Sequence, residues 1–287
     1  MTSQQQSEKR YDLHTHTTAS DGMHTPAEQV ELASQAGLAG IAITDHDTLG
    51  GLKEAAEAGE KWGIEIIPGV EISTVQNGKD IHVLGYWIQP DDNVLKERLQ
   101  GLRDARQRRN HQIIRNLQQA GIAIELADVR KAAGKEDDTI GRPHIADALV
   151  QLGVVQDMRE AFDLYLAEGA KAYAQVERIS PYEALTWIHE AGGVAVLAHP
   201  GLYQDDELVE QIVSTGMDGL EVRHSDHTGE DEDRYTRLAD KLKLIQTAGS
   251  DFHGSRQGKI FHGPLGNRYV TAPVLQQLRQ LRKIRQR

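Results

Sequence analysis

The sequence predicts an α/β domain, a parallel sheet or barrel, interrupted by a helical insertion. Three observations carry this. Short apolar runs alternate with helical patterns from Tyr11 to Ile88, the alternation resumes after residue 175, and residues 91–174 between them are almost wholly helical in pattern. Such alternation implies a parallel sheet or barrel covered by helices.

The elements follow in order. YDLHTH (11–16) is a strand. Pro26 to Ala36 is a helix, with Thr25 as its N-cap and Gly37 at its end. GIAITDHD (40–47) is a strand running into a turn, and Thr48 to Trp62 is helical. IEIIPGVEIS (64–73) and DIHVLGYWI (80–88) are strands joined by an Asn77-Gly78 turn. After the insertion, Pro181 to Ala191 is a helix and GVAVLAHP (193–200) a strand. Asp205 to Ser214 is a helix and GLEVRH (219–224) a strand. Gly229 to Lys243 is a helix, and LIQTAGSDFH (244–253) a strand plus loop. Two units are expected: a discontinuous barrel domain, 10–90 with 175–287, and a helical insertion, 91–174.

Composition narrows the chemistry. The chain has 287 residues, 39% hydrophobic and 26% charged, as in an ordinary globular protein. With no cysteine, it excludes disulfides, thiolate zinc sites, iron–sulfur clusters and cysteine nucleophiles. Any metal must be held by His, Asp and Glu, and the 13 histidines are plentiful. No run reaches the length of a membrane span, and the polar start MTSQQQSEKR resembles neither signal peptide nor anchor. A cytoplasmic protein without membrane contact is therefore expected. The net charge of −11 argues against general or stable DNA binding. The sequence signals no obligate protein partner.

Position is the informative feature of the polar residues. His14 and His16 lie in D-L-H-T-H, Asp21 in the following loop, His46 in T-D-H-D and Glu71 in G-V-E-I-S. His82 lies in D-I-H-V-L, His199 ends V-L-A-H-P, and Asp251 and His253 lie in G-S-D-F-H. Most end an apolar strand or begin the next loop, the face where α/β barrels build their sites. His14 and His16 share one face of a strand. Singly, a strand histidine is most often a hydrogen-bonded core residue, and Asp21 or Asp251 a turn residue. Together, buried carboxylates need compensation, since an unpaired buried ion costs several kcal/mol. Divalent metals would supply it.

DLHTHTTASDG (12–22), ITDHDT (43–48), PGVEIS (68–73), IHVLGY (81–86), LAHPG (197–201) and GSDFH (249–253) occur in that order. This set resembles the polymerase and histidinol phosphatase (PHP) family, and covers the chain from about Tyr11 to His253 outside the insertion. The resemblance implies a distorted (β/α)7 barrel with two or three divalent ions at its mouth. It assigns His14, His16, Glu71 and Asp251 to one ion. Glu71, His82 and His199 go to a second, and Asp21, His46 and His253 to a third. Catalytic roles are implied for Asp21, His46, Glu71, His199 and His253. Mixed imidazole and carboxylate ligands admit Mn²⁺, Fe²⁺ or Zn²⁺, and the resemblance favours Mn²⁺. It implies phosphomonoester hydrolysis by metal-activated hydroxide.

Within the family, the combination of ASDG, ITDHDT, PGVEIST and an insertion bearing R-R-N and G-R-x-H resembles one branch. That branch holds 3′,5′-nucleotide bisphosphate phosphatases and the 5′-to-3′ exoribonuclease RNase AM. The expected substrate is thus a small nucleoside bisphosphate or a short 5′-phosphorylated RNA.

The insertion supports two phosphates. Leu95, Leu99, Leu102, Ile113 and Leu117 form one helical stripe, and Arg106, Arg109 and Asn110 fall within it. Segment 96–115 has seven basic and two acidic residues. Arg108 and Arg115 read as a solvated face. Arg109 and Asn110 are candidates for a substrate phosphate, because guanidinium forks suit phosphate oxygens. Arg142 is a candidate for a second phosphate, and His144 a proton donor or only an N-terminal helix residue. Ser225, Asp226 and His227 would contact base or ribose, or form a plain loop. The tail 279–287, with five basic residues, reads as a solvated helix end. Competing expectations are a histidinol-phosphate phosphatase, a proofreading accessory to a DNA polymerase, and a metal-bound nucleotide-sensing module without turnover.

Overall fold

The structure is a computed structural model that describes residues 9–134, 140–175, 178–256 and 258–285. The first eight residues, 135–139 within the insertion and the last two of the tail lie outside the described residues. The chain divides into two compact units, one before Arg98 and from Ile179 onward, the other Arg98–Arg178.

The first unit runs β1 (Arg10–Asp12), α1 (Pro26–Gln35), β2 (Gly40–Ile43), α2 (Leu52–Trp62), β3 (Glu65–Gln76) and β4 (Lys79–Tyr86). The helix α3 (Asn93–Gln119) follows. The second unit continues with α4 (Leu126–Ala133), α5 (Arg142–Gln151), α6 (Met158–Ala161) and a π-helical turn, Phe162–Leu166. The first unit then resumes with α7 (Pro181–Glu190), β5 (Val194–Leu197), a 3₁₀ turn (Pro200–Tyr203), α8 (Asp206–Val213), β6 (Gly219–His224), α9 (Gly229–Leu242) and β7 (Ile245–Gly249). A ribbon, β8 (Ser255–Arg256) and β9 (Lys259–Ile260), precedes β10 (Val270–Thr271) and α10 (Ala272–Arg285).

Eight strands form one sheet in the order β10-β1-β2-β3-β4-β5-β6-β7. The pairs β1–β2, β2–β3, β5–β6 and β6–β7 are parallel. The hairpin strand β4 is inverted and pairs antiparallel with both neighbours, and β10 is antiparallel to β1. The sheet nearly closes where the chain after β1 meets the chain after β7. There the Leu13 N–H donates to Ala248 O, and Asp251 N–H to His14 O. The distorted (β/α)7 expectation holds, with β4 as the distortion. GIAI and VAVL are buried along their whole length, as strands covered on both faces must be.

Local chemistry sets the helix starts. Thr25 caps α1 by accepting the Glu28 N–H while Glu28 reaches back, and Ser180 with Glu183 does the same for α7. The helix expected from Thr48 begins only at Leu52. Asp47 holds φ 54° and its carboxylate accepts the Ser73 N–H, so residues 47–51 serve the sheet rather than the helix.

Tyr11, Leu13, Ala42, Ile67, Leu84, Tyr86, Val194 and Val196 share a core with Leu275 and Leu278 of α10. The described part of the tail, 279–285, is the half-exposed end of α10, and two of its basic residues are paired rather than solvated. Arg279 pairs with Glu65, and Arg285 pairs through both terminal guanidinium nitrogens with Asp218, which is 9% exposed. An apolar stripe binds α10 to the barrel, where Arg285 meets the buried Asp218 and Arg279 the half-buried Glu65. The second unit has its own core, including Ile113, Leu117, Val129, Ile145, Leu149 and Leu166.

Candidate metal centre

Glu71, on β3, is the hub. Its Oε2 lies 3.3 Å from His14 Nε2, 3.1 Å from His16 Nε2 and 3.1 Å from His46 Nδ1. Its Oε1 lies 2.9 Å from His82 Nδ1 and 3.0 Å from His199 Nε2. One carboxylate thus faces five imidazoles. His82 reaches it although it lies in the first half of its strand. Because β4 is inverted and pairs His82 with Ser73, His82 shares the face of Glu71.

Asp251 Oδ1 lies 3.3 Å from His14 Nε2 and 3.1 Å from His16 Nε2. Asp21 Oδ1 lies 3.2 Å from His253 Nε2, and its Oδ2 lies 3.9 Å from His46 Nε2. The candidate donors converge in groups: His14, His16, Glu71 and Asp251; His16, Asp21, His46 and His253; and His46, Glu71 and His82. The first group is the expected set. The second adds His16 to the expected three. In the third, His46 joins Glu71 and His82, while the Nε2 of His199 meets the Glu71 carboxylate without joining that group.

The cluster fits divalent metal. His14 Nε2, His16 Nε2 and Asp251 Oδ1 are buried with no hydrogen-bond partner, although opposing donors are near. Atoms that ligate one ion at about 2.1 Å lie roughly 3 Å apart without pointing at one another. The other ring nitrogens are fixed by the protein. His14 Nδ1 lies 3.1 Å from Glu221 Oε1, and His253 Nδ1 lies 2.8 Å from the Asp251 carbonyl. Such partners set the tautomer and aim the remaining nitrogen.

Electrostatics agree. Burial pushes the Glu71 carboxyl up, but His46, His82 and His14 outweigh it and hold it well below the usual range. Burial is likewise overcome at Asp251 by His14, His262 and His253, and at Asp21 by His253 and His46. Burial pushes the His14 imidazole down, but Asp251, Glu221 and Glu71 hold it well above its ordinary value. His199 takes the opposite course, lowered to about 4 by burial. His199 and Asp251 also hold positive φ, 23° and 54°, a backbone cost that accumulates at functional sites.

Supporting residues escaped the sequence reading. Glu221 touches His14 and accepts the His199 N–H at 2.8 Å, and His224 Nε2 lies 3.2 Å from Asp251 Oδ2. Three residues apart, they would ordinarily sit on opposite faces of a strand. A register shift between Glu221 and Arg223 turns both inward. The E-V-R-H run carries no signal of that bulge. Asp45 is a similar case. It accepts Thr17 N–H and Oγ1–H and Ser20 Oγ–H, fixing the loop that carries Asp21.

The remaining candidates have partners of their own. His227 is no base or ribose contact, because backbone groups occupy both its ring nitrogens: Gly201 N–H donates to Nε2, and Nδ1 meets Val222 O. Asp226 Oδ2 pairs with His262 Nδ1 at 2.5 Å. In the second unit, Arg109 is 6% exposed, Asn110 donates its amide to Ile140 O, and Arg142 opens α5. His144 is buried in the first turn of α5 and accepts the Gly141 N–H at 3.0 Å.

Comparison with known proteins agrees with this geometry. The PHP domain matches residues 12–122. A 3′,5′-nucleoside bisphosphate phosphatase of Chromobacterium violaceum is 37% identical over 252 residues, 86% of this chain and 88% of that protein. A 5′-3′ exoribonuclease of Haemophilus influenzae is 37% identical over 250 residues, 85% and 90% of the two chains. A Bifidobacterium adolescentis structure described as a metal-dependent phosphoesterase superposes with a TM-score of 0.85 at 33% identity, covering 96% of each chain. With these lengths and identities, and with the six motifs gathered at one barrel mouth, the chain belongs to the PHP family of phosphoesterases.

Proposed function

We propose that this protein is a metal-dependent phosphoesterase that removes the 3′-phosphate of nucleoside 3′,5′-bisphosphates, trims short 5′-phosphorylated RNA from its 5′ end, or does both. One observation carries the reading: Glu71 faces five imidazoles while Asp251 and Asp21 close the ring around them. The two relatives at 37% identity supply the substrate class.

His14, His16, Glu71 and Asp251 would hold one ion, Glu71 with His82 and His199 a second, and Asp21, His46 and His253 a third. Divalent ions, for which Mn²⁺ is proposed, supply Lewis acidity for hydrolysis at neutral pH. The chain's own work is placement and charge. Glu221 and the Asp251 carbonyl fix the His14 and His253 rings. His82 and His46, with side chains 20% and 11% exposed, form the open side from which a phosphate enters.

Arg109 and Arg142 are proposed to grip substrate phosphates, on the strength of guanidinium chemistry and the basic segment 96–115. Asn110 and His144 are proposed to shape that region, each being tied to the backbone of its own unit. No helix among the described residues is long and apolar enough to cross a membrane, and a cytoplasmic setting is proposed with the function.

The test is phosphate release by the Mn²⁺-loaded protein from adenosine 3′,5′-bisphosphate, a short 5′-phosphorylated RNA and histidinol phosphate. Turnover of either nucleotide substrate is expected. Turnover of histidinol phosphate alone, or of none, sinks the proposal. Glu71→Ala is expected to abolish activity in a folded protein, and Arg109→Ala to raise KM.

A further inference from the structure

Asp251 divides its two oxygens. Oδ1 faces the metal centre, buried and without a hydrogen-bond partner. Oδ2 faces two histidines that lie in none of the ligand motifs, His224 Nε2 at 3.2 Å and His262 Nε2 at 3.3 Å.

The His224 tautomer follows from its surroundings. Its Nδ1 accepts the Asp226 N–H at 3.1 Å, so Nε2 carries the hydrogen and donates to Asp251. Neither ring nitrogen is left to bind an ion. His262 arrives from another element, two residues beyond the β8–β9 ribbon. It holds φ 61°, which a non-glycine residue adopts at a cost. Phe261 packs edge-on against it at 4.4 Å, and the His253 ring lies 5.4 Å away. Its Nδ1 meets Asp226 Oδ2, so its ring spans two carboxylates.

We propose that His262 is a positioning residue for metal binding. Anchored by Asp226, it fastens Oδ2 of Asp251 so that Oδ1 alone is offered to the ion, with His224 as the second fastener. A carboxylate held through one oxygen is a one-point ligand. Released, it would rotate to chelate through both oxygens or swing off the ion. Asp226 is thereby the outer support of the centre. The inference rests on the metal-centre reading but on no particular substrate.

The experiment is Mn²⁺ binding by the full-length, chelator-stripped protein without substrate, followed by calorimetry and by the electron paramagnetic resonance signal of free Mn²⁺. His262→Ala is expected to weaken at least one binding step about 10–100-fold, the usual loss when an outer-shell partner is removed. His262→Gln, which keeps a polar side chain, is expected to recover part of the loss. Asp226→Asn, a change at a half-exposed side chain that leaves His262 in place, is expected to weaken the same step less. Wild-type affinity in both His262→Ala and Asp226→Asn overturns the inference and leaves the centre standing. If His262→Ala does not fold, Asp226→Asn decides: weaker binding supports the inference and unchanged binding overturns it. A wild-type protein that binds no Mn²⁺ overturns both inference and centre.

Discussion

Glu221 shows how much a residue outside every motif contributes. It meets His14 Nδ1 with both oxygens, at 3.1 and 3.2 Å, and accepts the His199 N–H. It therefore orients two candidate ligands that follow different strands. Glu221→Ala is expected to lower metal affinity about 10–100-fold, with a matching fall in activity at limiting Mn²⁺. Calorimetry checks this, and wild-type affinity would refute the role. Most of the six ligand histidines were legible because they end a short apolar run or open the loop after it; His82, inside its strand, was legible only through its motif. Glu221, His224 and His262 were not, because a β-bulge and a strained loop residue aim them, and neither leaves a mark in residue identity.

At the scale of elements, close approach and capping decide where the site lies. A Cβ on Gly249, at the end of β7, would fall 2.2 Å from His14 Cβ and 2.6 Å from His14 N. Only glycine lets β7 press against the strand end that bears the first ligand. Gly249→Ala is expected to cost at least about 1–3 kcal/mol, the usual range for overpacking, read as a lower melting temperature with weakened metal binding. The C-terminal helix makes a second prediction. Burial pushes the Asp218 carboxyl up, but His189, Arg285 and the Ala195 N–H outweigh it and hold it below its ordinary value. A carboxyl depressed on folding contributes stability above its unfolded pKa of about 3.9, and that share is lost as pH falls through the folded value. Asp218→Asn is expected to cost about 3 kcal/mol at pH 7, the low end for breaking a buried pair. The gap between wild type and variant in thermal melts should close below about pH 4. A gap that persists there would show that charge is not the cause.

For the whole molecule, the net charge of −11 conceals a local imbalance. Asp21, Glu71, Asp251 and Glu221 are all buried within one cluster of imidazoles. Ions that bind this folded arrangement and not the unfolded chain must stabilise it, by about 2.7 kcal/mol at a free concentration 100 times Kd. Mn²⁺ is expected to raise the melting temperature of the chelator-stripped protein, and chelation to reverse it. A melting temperature indifferent to Mn²⁺ would remove the metal centre from the account.

The sequence by itself determined the fold class, and it suggested a two-unit division and nine candidate ligands. Hydrophobic periodicity and capping are local, and a ligand at a strand end is visible in one dimension. Only the tertiary structure decided which oxygen of Glu71 and Asp251 faces which imidazole, that inverted β4 brings His82 to the shared face, and that Arg279 and Arg285 of the C-terminal helix pair with Glu65 and Asp218. Those outcomes depend on strand direction, register and the meeting of segments more than two hundred residues apart, as His14 meets Glu221. No periodicity within a single segment encodes such a meeting, because the energy that fixes it arises only when the barrel closes.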